Sequence, residues 1–456
     1  MASIDVVVAG AGAAGCSAAL SLHDAGLSVV VVEADQHYSQ GCNTANGTGL
    51  VTAVGTRWQS DAGVEDSLEL FVRDVEQRTM GTADVTLTRS LGAVSATLLE
   101  WLESIASVPW EFDSEFVYPG HTVPRCHGVP SRSGSELHGL LLSALEVREI
   151  PILVPASLVD VELALPGELE IRVAYPDGAD EVIDSRACIL ATGGYGAASG
   201  LVGEFIPSMA GARYQGSAFH RGDAIRLGRS LGAGVRFLDA FQGGRVVTWS
   251  GLIDGWCPVA HGGVIVGEDG MRFGNEVVGY SEFAGTMPEL AYLILDERVL
   301  DSCVGYGEVR ANLVADALRV VESIEDISRI VGCETAAIAE TLKQCRLYAE
   351  GVEPDPFGRL EWGAVPLGMD ARLVVTQVAP ALFHTQGGLL INGSGRVLGE
   401  DGVPTAAPVW AAGGAAMGIS GSGCAGYLGG NGLLAALGLG YLAGCDVRRE
   451  FDDGQH

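Results

Sequence analysis

One pattern near the start of the chain restricts the fold more than any other. Residues 4–9 are apolar and mostly β-branched, which predicts a buried parallel strand. Gly10-Ala11-Gly12-Ala13-Ala14-Gly15 follows directly, and the spacing of small and apolar residues then predicts a helix over 16–25. A second buried strand is expected over 28–32, and Glu33 follows it. Strand, glycine turn, helix and strand in this order are typical of a doubly wound α/β domain with a parallel sheet.

The glycines and the acidic residue of this unit also predict a ligand. Gly10 permits the tight turn, Gly12 lets the backbone approach a pyrophosphate, and Gly15 lets the helix pack closely on the strand. The helix N-terminus offers free N–H groups and partial positive charge to the phosphates. Glu33 follows Gly15 by 18 residues, where it can accept hydrogen bonds from a ribose diol. We therefore predict a dinucleotide site rather than a glycine turn without a ligand.

Two later glycine clusters favour FAD over a nicotinamide cofactor. A strand at 188–192 runs into Gly193-Gly194, and another at 409–412 runs into Gly413-Gly414. FAD is long, and its ring system needs backbone contacts from distant parts of the chain. No second G-x-G-x-x-G follows a strand, so a separate NAD(P)H domain is not expected. Electrons would then pass to or from the substrate and an external donor or acceptor.

Composition excludes several classes of partner. Acidic residues outnumber basic ones 57 to 27, and a net charge of −30 disfavours nucleic acid and anionic membranes. None of the 10 cysteines forms a CxxC pair, so we expect no metal site, no disulfide framework and a reduced, cytoplasmic setting. The N-terminus lacks a basic region and no long uninterrupted apolar run occurs, so neither a signal peptide nor a membrane span is predicted.

The pattern along the rest of the chain predicts two domains. We expect a discontinuous dinucleotide-binding domain of residues 1–238 and 384–456, interrupted by an α+β cap and substrate domain over 239–383. The other predicted elements are helices over 64–77, 90–105, 311–323 and 336–348, strands over 154–173 and 180–190, and a helix opened by Gly222-Asp223.

Eight motifs in order resemble the FAD-dependent oxidoreductase 2 superfamily, which contains fumarate reductases and 3-ketosteroid dehydrogenases. The resemblance runs over nearly the whole chain. The matching motifs are the glycine turn with Glu33, Gly41-Cys42-Asn43-Thr44, Ala191-Thr192-Gly193-Gly194, Gly222-Asp223-Ala224-Ile225, Arg272-Phe273-Gly274-Asn275-Glu276, His384-Thr385-Gln386-Gly387-Gly388, Ala411-Ala412-Gly413 and Tyr427-Leu428-Gly429-Gly430-Asn431.

The resemblance implies a Rossmann-like flavin domain with a mobile cap. With the glycine clusters and the polar loop 41–49, it gives as candidate cofactor-binding residues Gly10, Gly12, Ala14, Gly15, Glu33, Asn43, Thr44, Thr48, Gly49, Thr192, Gly193, Gly194, Asp223, His384, Gly413, Asn431, Gly432 and Leu433. Gly414 stands where relatives often carry an acid, which weakens one FAD contact. Members with covalent flavin have a histidine in the Asn43 loop, and none occurs here, so non-covalent FAD is expected.

The residues that distinguish branches of the superfamily depart from the fumarate reductases. Arginines that would hold a dicarboxylate are replaced by Tyr280 and Tyr427, and histidine positions are occupied by Phe383 and Gly243. Arginine binds carboxylates bidentately, and burying a diacid without such partners costs several kcal/mol. The pocket is therefore predicted to take a bulky neutral ketone.

Tyrosines at these positions resemble the 3-ketosteroid dehydrogenases. The resemblance implies Tyr280 as proton acceptor and Tyr427 as hydrogen-bond donor to the ketone, with Tyr118 assisting. The reaction would be α,β-dehydrogenation, in which a base removes the α-proton and the β-hydrogen leaves as hydride to flavin N5. Gly429 replaces the serine of the 4-dehydrogenase pattern, so the carbon pair stays open. Alternatively, each tyrosine lines the core with a satisfied hydroxyl.

The sequence leaves three other functions open: an ene-reductase running the reverse reaction, a fumarate reductase-like acid reductase, and a non-enzymatic flavin sensor. Among further residues, Cys126-His127 is a weak nucleophile candidate, and Arg125 could reach substrate or flavin or serve only the fold. Glu276 could be catalytic or part of a structural ion pair. Two histidines, His220 and His261, are expected to be loop residues rather than ligands.

Overall fold

The computed structural model describes residues 4–363 and 372–453, which fall into two compact units. The first unit lies within Met1–Ile206, Gly216–Phe241 and His384–His456, and the second comprises Pro207–Gln215 and Gln242–Phe383.

A seven-stranded sheet forms the centre of the first unit. Its parallel strands are runs of valine, isoleucine and leucine that are almost fully buried, as a sheet covered on both faces requires. A hairpin continues the sheet in antiparallel fashion. The strand order is Ile152–Leu153, Val29–Val32, Ile4–Ala9, Asp180–Leu190, Glu168–Ala174 and Ser157–Leu165, with Val409–Ala411 also paired to Asp180–Leu190.

Two helices of this unit pack with almost no space between their backbones. Helix Ala13–Asp24 lies against the last helix, Asn431–Asp453. Ser17 Oγ donates a hydrogen bond to Leu437 O at 2.7 Å, and a Cβ on Gly440 would lie 2.3 Å from Ala14 O. Only glycine allows this approach, which holds the start of the last helix beside the glycine turn.

The remaining elements of the first unit surround this core. Its other helices are Tyr38–Gly41, Asn43–Asn46, Arg57–Asp61, Leu68–Arg78, Val85–Ala106, Gly134–Val147, Ser199–Phe205 and Asp223–Ser230, with a 3-10 turn at Gly413–Ala415. Two small sheets pair Val51–Thr52 with Cys126–Gly128 and Glu111–Phe112, and Val235–Arg236 with Gly388–Leu389.

The second unit has its own hydrophobic core around a mixed six-stranded sheet. Four strands follow the order Arg213–Tyr214, Leu373–Thr385, Ala291–Asp296 and Val264–Val266, while Phe241–Val247 and Arg319–Val321 also pair with the long strand. Its helices are Cys257–Ala260, Tyr280–Ala284, Glu297–Cys303, Gly307–Val314, Ile324–Val331 and Thr335–Ala349, with a 3-10 turn at Pro207–Met209.

The structure confirms the α/β class with a parallel sheet but corrects two expectations in the second unit. The helix predicted over 311–323 ends at Val314, because Asp316 adopts a positive φ of 51° and Arg319–Val321 pairs with the long strand. The cysteines are not all reduced, because neighbouring helices bring Cys257 and Cys303 together in a disulfide. Within 4–363 and 372–453, no helix is both long and apolar enough to cross a bilayer.

Candidate flavin site and active-site residues

Glycine stands at three positions of the first turn for different structural reasons. A Cβ on Gly15 would lie 1.7 Å from Gly10 O, and one on Gly10 would lie 2.3 Å from Ala191 O, so protein packing excludes both side chains. A Cβ on Gly12 would meet only Thr44 Oγ1, at 3.5 Å, and its backbone angles suit any residue. The protein alone therefore does not require glycine at position 12, and the space beside it fits a ligand that approaches the backbone.

The start of the first helix is arranged to accept an anion. Gly12 provides no side-chain cap for helix Ala13–Asp24. Thr44 Oγ1 accepts a hydrogen bond from Ala13 N at 3.0 Å, which places the Asn43–Thr44 segment beside the turn. The other N–H groups of the first turn and the helix dipole together favour a phosphate at this end.

Glu33 lies against the same turn at the end of the second strand. Its carboxylate accepts hydrogen bonds from Ala11 N at 2.7 Å and from Asp35 N at 2.8 Å. Burial raises the pKa of this carboxyl, and the two backbone donors oppose that effect. A carboxylate has about four lone-pair positions, so it can also accept bonds from a ribose diol.

The predicted loop 41–49 forms part of the same site. It contains the short helix Asn43–Asn46, and Asn43 Oδ1 accepts a hydrogen bond from Ser217 N at 2.8 Å. Gly49 has a positive φ of 69° and is buried against Ser133, whereas Thr48 is exposed. Asp223 begins helix Asp223–Ser230 with a carboxylate that is 42% exposed.

Two buried polar side chains next to glycines, one before Gly193 and one between Gly430 and Gly432, have no protein partner. Thr192 Oγ1 and both polar atoms of the Asn431 amide are buried without a hydrogen bond. Leaving such groups unsatisfied costs about 1–3 kcal/mol each, which a polar ligand would recover. Both lie in segments predicted to bind FAD, so their chemistry fits that cofactor.

Glycines at 193, 194 and 413 also allow distant chain segments to pack closely together. A Cβ on Gly193 would lie 2.3 Å from the His220 ring, and one on Gly194 would lie 2.0 Å from Thr385 Oγ1. Gly413 has a positive φ of 62° and approaches Ala14, which joins the third cluster to the first helix. The structure therefore brings the three glycine clusters together at one end of the sheet.

The start of the last helix forms a cluster with His384 and Tyr427. A Cβ on Gly432 would lie 3.0 Å from the His384 ring, and the rings of His384 and Tyr427 are edge-on with centroids 6.0 Å apart. Burial lowers the pKa of His384 to about 4, so this imidazole is neutral near pH 7. Leu433 follows Gly432 in the first turn and is partly buried.

Tyr118 lies next to the same turn and explains a departure from the family pattern. A Cβ on Gly429 would lie 2.8 Å from Tyr118 Cβ and 3.0 Å from two of its ring atoms. The tyrosine therefore occupies the space that a side chain at position 429 needs. Phe116 packs edge-on against Tyr118, with centroids 4.6 Å apart, and holds its ring in place.

Tyr280 belongs to the second unit. It begins the short helix Tyr280–Ala284 and packs edge-on against Trp256, with ring centroids 5.8 Å apart. Ser281 Oγ accepts a hydrogen bond from Gly243 N at 2.9 Å, which fixes the start of this helix. The role of Tyr280 as a base stays a prediction.

Glu276 is part of a buried ion-pair network in the second unit. Arg272 binds it with two hydrogen bonds of 2.7 Å, and Arg359 adds a third of 3.2 Å. Arg272 also pairs with Asp355 at 2.7 Å. The structure thus favours the structural alternative for Glu276.

Arg125 and the neighbouring cysteine also serve the fold. Arg125 is buried and paired with Asp66 and Asp74, so its charge is already neutralised. Burial raises the pKa of Cys126 to about 12, which keeps this thiol unreactive. His127 bonds to Thr56 Oγ1 and to Arg125 O, each at 2.9 Å, so Cys126-His127 is not a nucleophile pair.

Sequence reasoning missed three residues that support the site. His138 Nε2 lies 2.7 Å from Ala11 O and so contacts the glycine turn. Thr52 Oγ1 donates to Gly429 O at 2.6 Å, and His121 Nε2 lies 2.9 Å from the same oxygen. All three partners are distant in sequence, and no local signal marks them.

Comparison with known proteins agrees with this geometry. The family model described as FAD binding domain matches residues 5–433. The chain is 27% identical over 451 residues to a probable fumarate reductase, Ifc3, of Shewanella frigidimarina, covering 96% of this chain and 74% of that protein. It is 28% identical to an NADH:fumarate oxidoreductase of Klebsiella pneumoniae, covering 97% of this chain and 47% of the relative.

Solved structures show the same fold. The open conformation of a flavocytochrome c3 fumarate reductase matches with a TM-score of 0.81 and 26% identity, over 98% of this chain and 78% of that one. A 3-ketosteroid Δ1-dehydrogenase from Sterolibacterium denitrificans matches with a TM-score of 0.82 and 18% identity, over 99% and 100% of the two chains. The chain therefore belongs to the FAD binding domain family and is an FAD-dependent oxidoreductase.

Proposed function

We propose that this flavoenzyme desaturates a neutral ketone between the carbons α and β to its carbonyl, the simplest substrate being a 3-ketosteroid. The observation that supports this proposal most directly is the ion pairing of the buried arginines. Each one in 4–363 and 372–453 is already ion-paired with a carboxylate of the protein. They are Arg125, Arg245, Arg272, Arg359 and Arg396.

At these five arginines a dicarboxylate substrate would meet no uncompensated positive charge. To pair with them, its two negative charges would have to displace the carboxylates of the protein, and staying buried without a cation costs several kcal/mol. Neutral His384 supplies no positive charge near pH 7. A neutral carbonyl compound avoids this cost and needs only hydrogen-bond donors.

The tyrosines suit a ketone. The Tyr427 hydroxyl would donate a hydrogen bond to the carbonyl oxygen and stabilise the enolate as its negative charge develops. Tyr280 would accept the α-proton on its phenolate oxygen, so this role requires its hydroxyl to be deprotonated first. Tyr118, beside the Tyr427–Asn431 turn, would help to position the ring of the substrate. FAD, when bound, supplies the acceptor for the hydride that leaves the β-carbon.

The first test separates Tyr280 from an ordinary buried tyrosine. The Tyr280→Phe variant should lose at least about tenfold in turnover of a ketone while keeping its FAD, since a positioned acid or base usually contributes 10²–10⁴-fold. Tyr292→Phe is a matched control, because Tyr292 is buried in the same unit and accepts a hydrogen bond from Gln377 at 3.2 Å. Equal turnover in the Tyr280→Phe variant and the wild type would reject the assignment.

The substrate class and the direction are tested by anaerobic mixing with a panel of steroid and smaller cyclic ketones. Bleaching of the oxidised flavin by a saturated ketone supports dehydrogenation. Reoxidation of reduced flavin by an enone, with no bleaching by the saturated ketone, identifies the reverse, ene-reductase reaction. If no ketone or enone changes the flavin spectrum, the proposal is wrong and a flavin-binding sensor is favoured.

One observation favours a second candidate, reduction of an unsaturated carboxylic acid. Nη1 of Arg245 is buried without a hydrogen-bond partner, although the same guanidinium pairs with Asp254 through Nε at 2.7 Å. The two relatives named above are a probable fumarate reductase and an NADH:fumarate oxidoreductase. Reoxidation of the reduced flavin by fumarate, lost in Arg245→Met, would favour this candidate over the ketone.

A further inference from the structure

Three metal-ligating side chains meet in the second unit. Cys257 begins the helix Cys257–Ala260, His261 follows that helix directly, and Cys303 is the last residue of Glu297–Cys303. The two sulfurs are joined as a disulfide. One ligand atom from each of the three residues lies within 4.8 Å of the other two.

A hydroxyl lies beside the His261 ring. Ser302 Oγ is 2.7 Å from His261 Nδ1 and also 2.7 Å from Val299 O. In the tautomer in which this hydroxyl donates to Val299 O, Nδ1–H donates to Ser302 Oγ and the lone pair of the neutral imidazole is on Nε2. Metal-binding histidines almost always have such a partner on their other nitrogen, because it sets the tautomer and the orientation of the ring.

The surroundings of the cluster also suit a metal. Both cysteines are buried, at 5% and 0% exposure, whereas His261 is only half-buried, so an ion can enter from the side of the imidazole. Two thiolates and one imidazole are the donor set of zinc, and three protein ligands leave a fourth position for water. Their charges also balance, since two thiolates neutralise one divalent cation.

We propose that Cys257, His261 and Cys303 form a binding site for a zinc-type divalent ion that opens only when the disulfide is reduced. A dithiol reductant supplies two electrons and two protons, so the S–S bond breaks, two thiols form and the dithiol becomes a disulfide. The cation then replaces the two thiol protons, which are released to solvent, and both sulfurs bind as thiolates. The oxidised protein has only the imidazole and cannot hold the ion.

The test uses the full, flavin-loaded chain in two redox states. One sample is reduced anaerobically with a phosphine, and the other is kept oxidised. The phosphine becomes its oxide with oxygen from water, and the two protons of that water complete the two thiols. Both are incubated with Zn²⁺, desalted and assayed for bound zinc by elemental analysis and for free thiols by alkylation. We expect one zinc per chain in the reduced sample only, with two thiols more than in the oxidised sample.

Variants locate the ion. Cys303→Ser should lose the zinc, and His261→Gln, a change at a half-buried surface position, should weaken zinc binding at least about tenfold. Cys333→Ser is the matched control, because Cys333 is a free cysteine of the same unit and should leave binding unchanged. Zinc retained equally by the reduced wild type and by His261→Gln, no zinc in the reduced wild type, or a disulfide that resists reduction in the folded protein would each overturn the proposal.

Discussion

Replacing Gly12 by alanine tests whether the glycine turn binds a pyrophosphate or only makes a turn. The new Cβ would contact Thr44 Oγ1 at 3.5 Å, an ordinary van der Waals distance, and φ of −74° with ψ of −173° is open to alanine. The free energy of unfolding of the flavin-free protein should therefore change by less than about 0.5 kcal/mol, or rise slightly because the unfolded chain loses freedom.

Binding of FAD should respond differently. A methyl group in the space that the pyrophosphate needs costs about 1–3 kcal/mol, as overpacking usually does. The dissociation constant for FAD should increase about 5- to 150-fold, since 1.4 kcal/mol is a factor of ten. Gly15→Ala makes the opposite contrast, because its Cβ would lie 1.7 Å from Gly10 O and should destabilise the fold itself by at least about 3 kcal/mol.

The assay is titration of the flavin-free protein with FAD, read by quenching of flavin fluorescence, together with thermal unfolding of the same samples. A Gly12→Ala variant that binds FAD as tightly as the wild type would show that the phosphates do not pass over this residue. A variant that unfolds without FAD would show instead that Gly12 is needed for packing, contrary to the distances.

Three further predictions concern stability. Gly429→Ser should lower the free energy of unfolding by about 1–3 kcal/mol, because its Cβ would lie 2.8 Å from Tyr118 Cβ and 3.0 Å from two atoms of its ring. Adding Tyr118→Ala removes the ring but keeps the Cβ, so it should cancel part of that loss in a double-mutant cycle by urea unfolding. Burial lowers the pKa of His121 and His127 to about 4. Their contribution to the free energy of unfolding is therefore complete above pH 6.5 and is lost as the pH falls toward 4. Urea unfolding at pH 5 should give a free energy about 2 kcal/mol lower per histidine, and no decrease would contradict neutral burial. Arg125→Met leaves two buried carboxylates unpaired and should cost about 3–5 kcal/mol by the same assay, and a loss below 1 kcal/mol would contradict the pairing.

The parts of the fold that the sequence predicted depend on local patterns. The strand Ile4–Ala9 and the turn that follows could be predicted from a few neighbouring residues. The valines indicate a buried strand, and the glycines indicate the backbone conformation of the turn. The helix predicted over 311–323 failed because the pairing of Arg319–Val321 with a strand more than 50 residues away outweighed the local spacing. The disulfide of Cys257 was missed for the same reason, since its partner lies 46 residues along the chain.

The candidate site shows the same division between local and long-range information. Gly429 could be recognised in the sequence only as a departure from a pattern, and its reason, the ring of Tyr118, appears once distant segments are packed together. The role of an arginine also depends on residues distant in sequence, because an arginine can be a substrate ligand or half of an ion pair. For Arg125, the ion pairs with Asp66 and Asp74 show that it is the second. If the proposed function holds, the substrate charge that this chain accepts depends on which of its buried arginines its own carboxylates already neutralise, and counting arginines in the sequence cannot determine it.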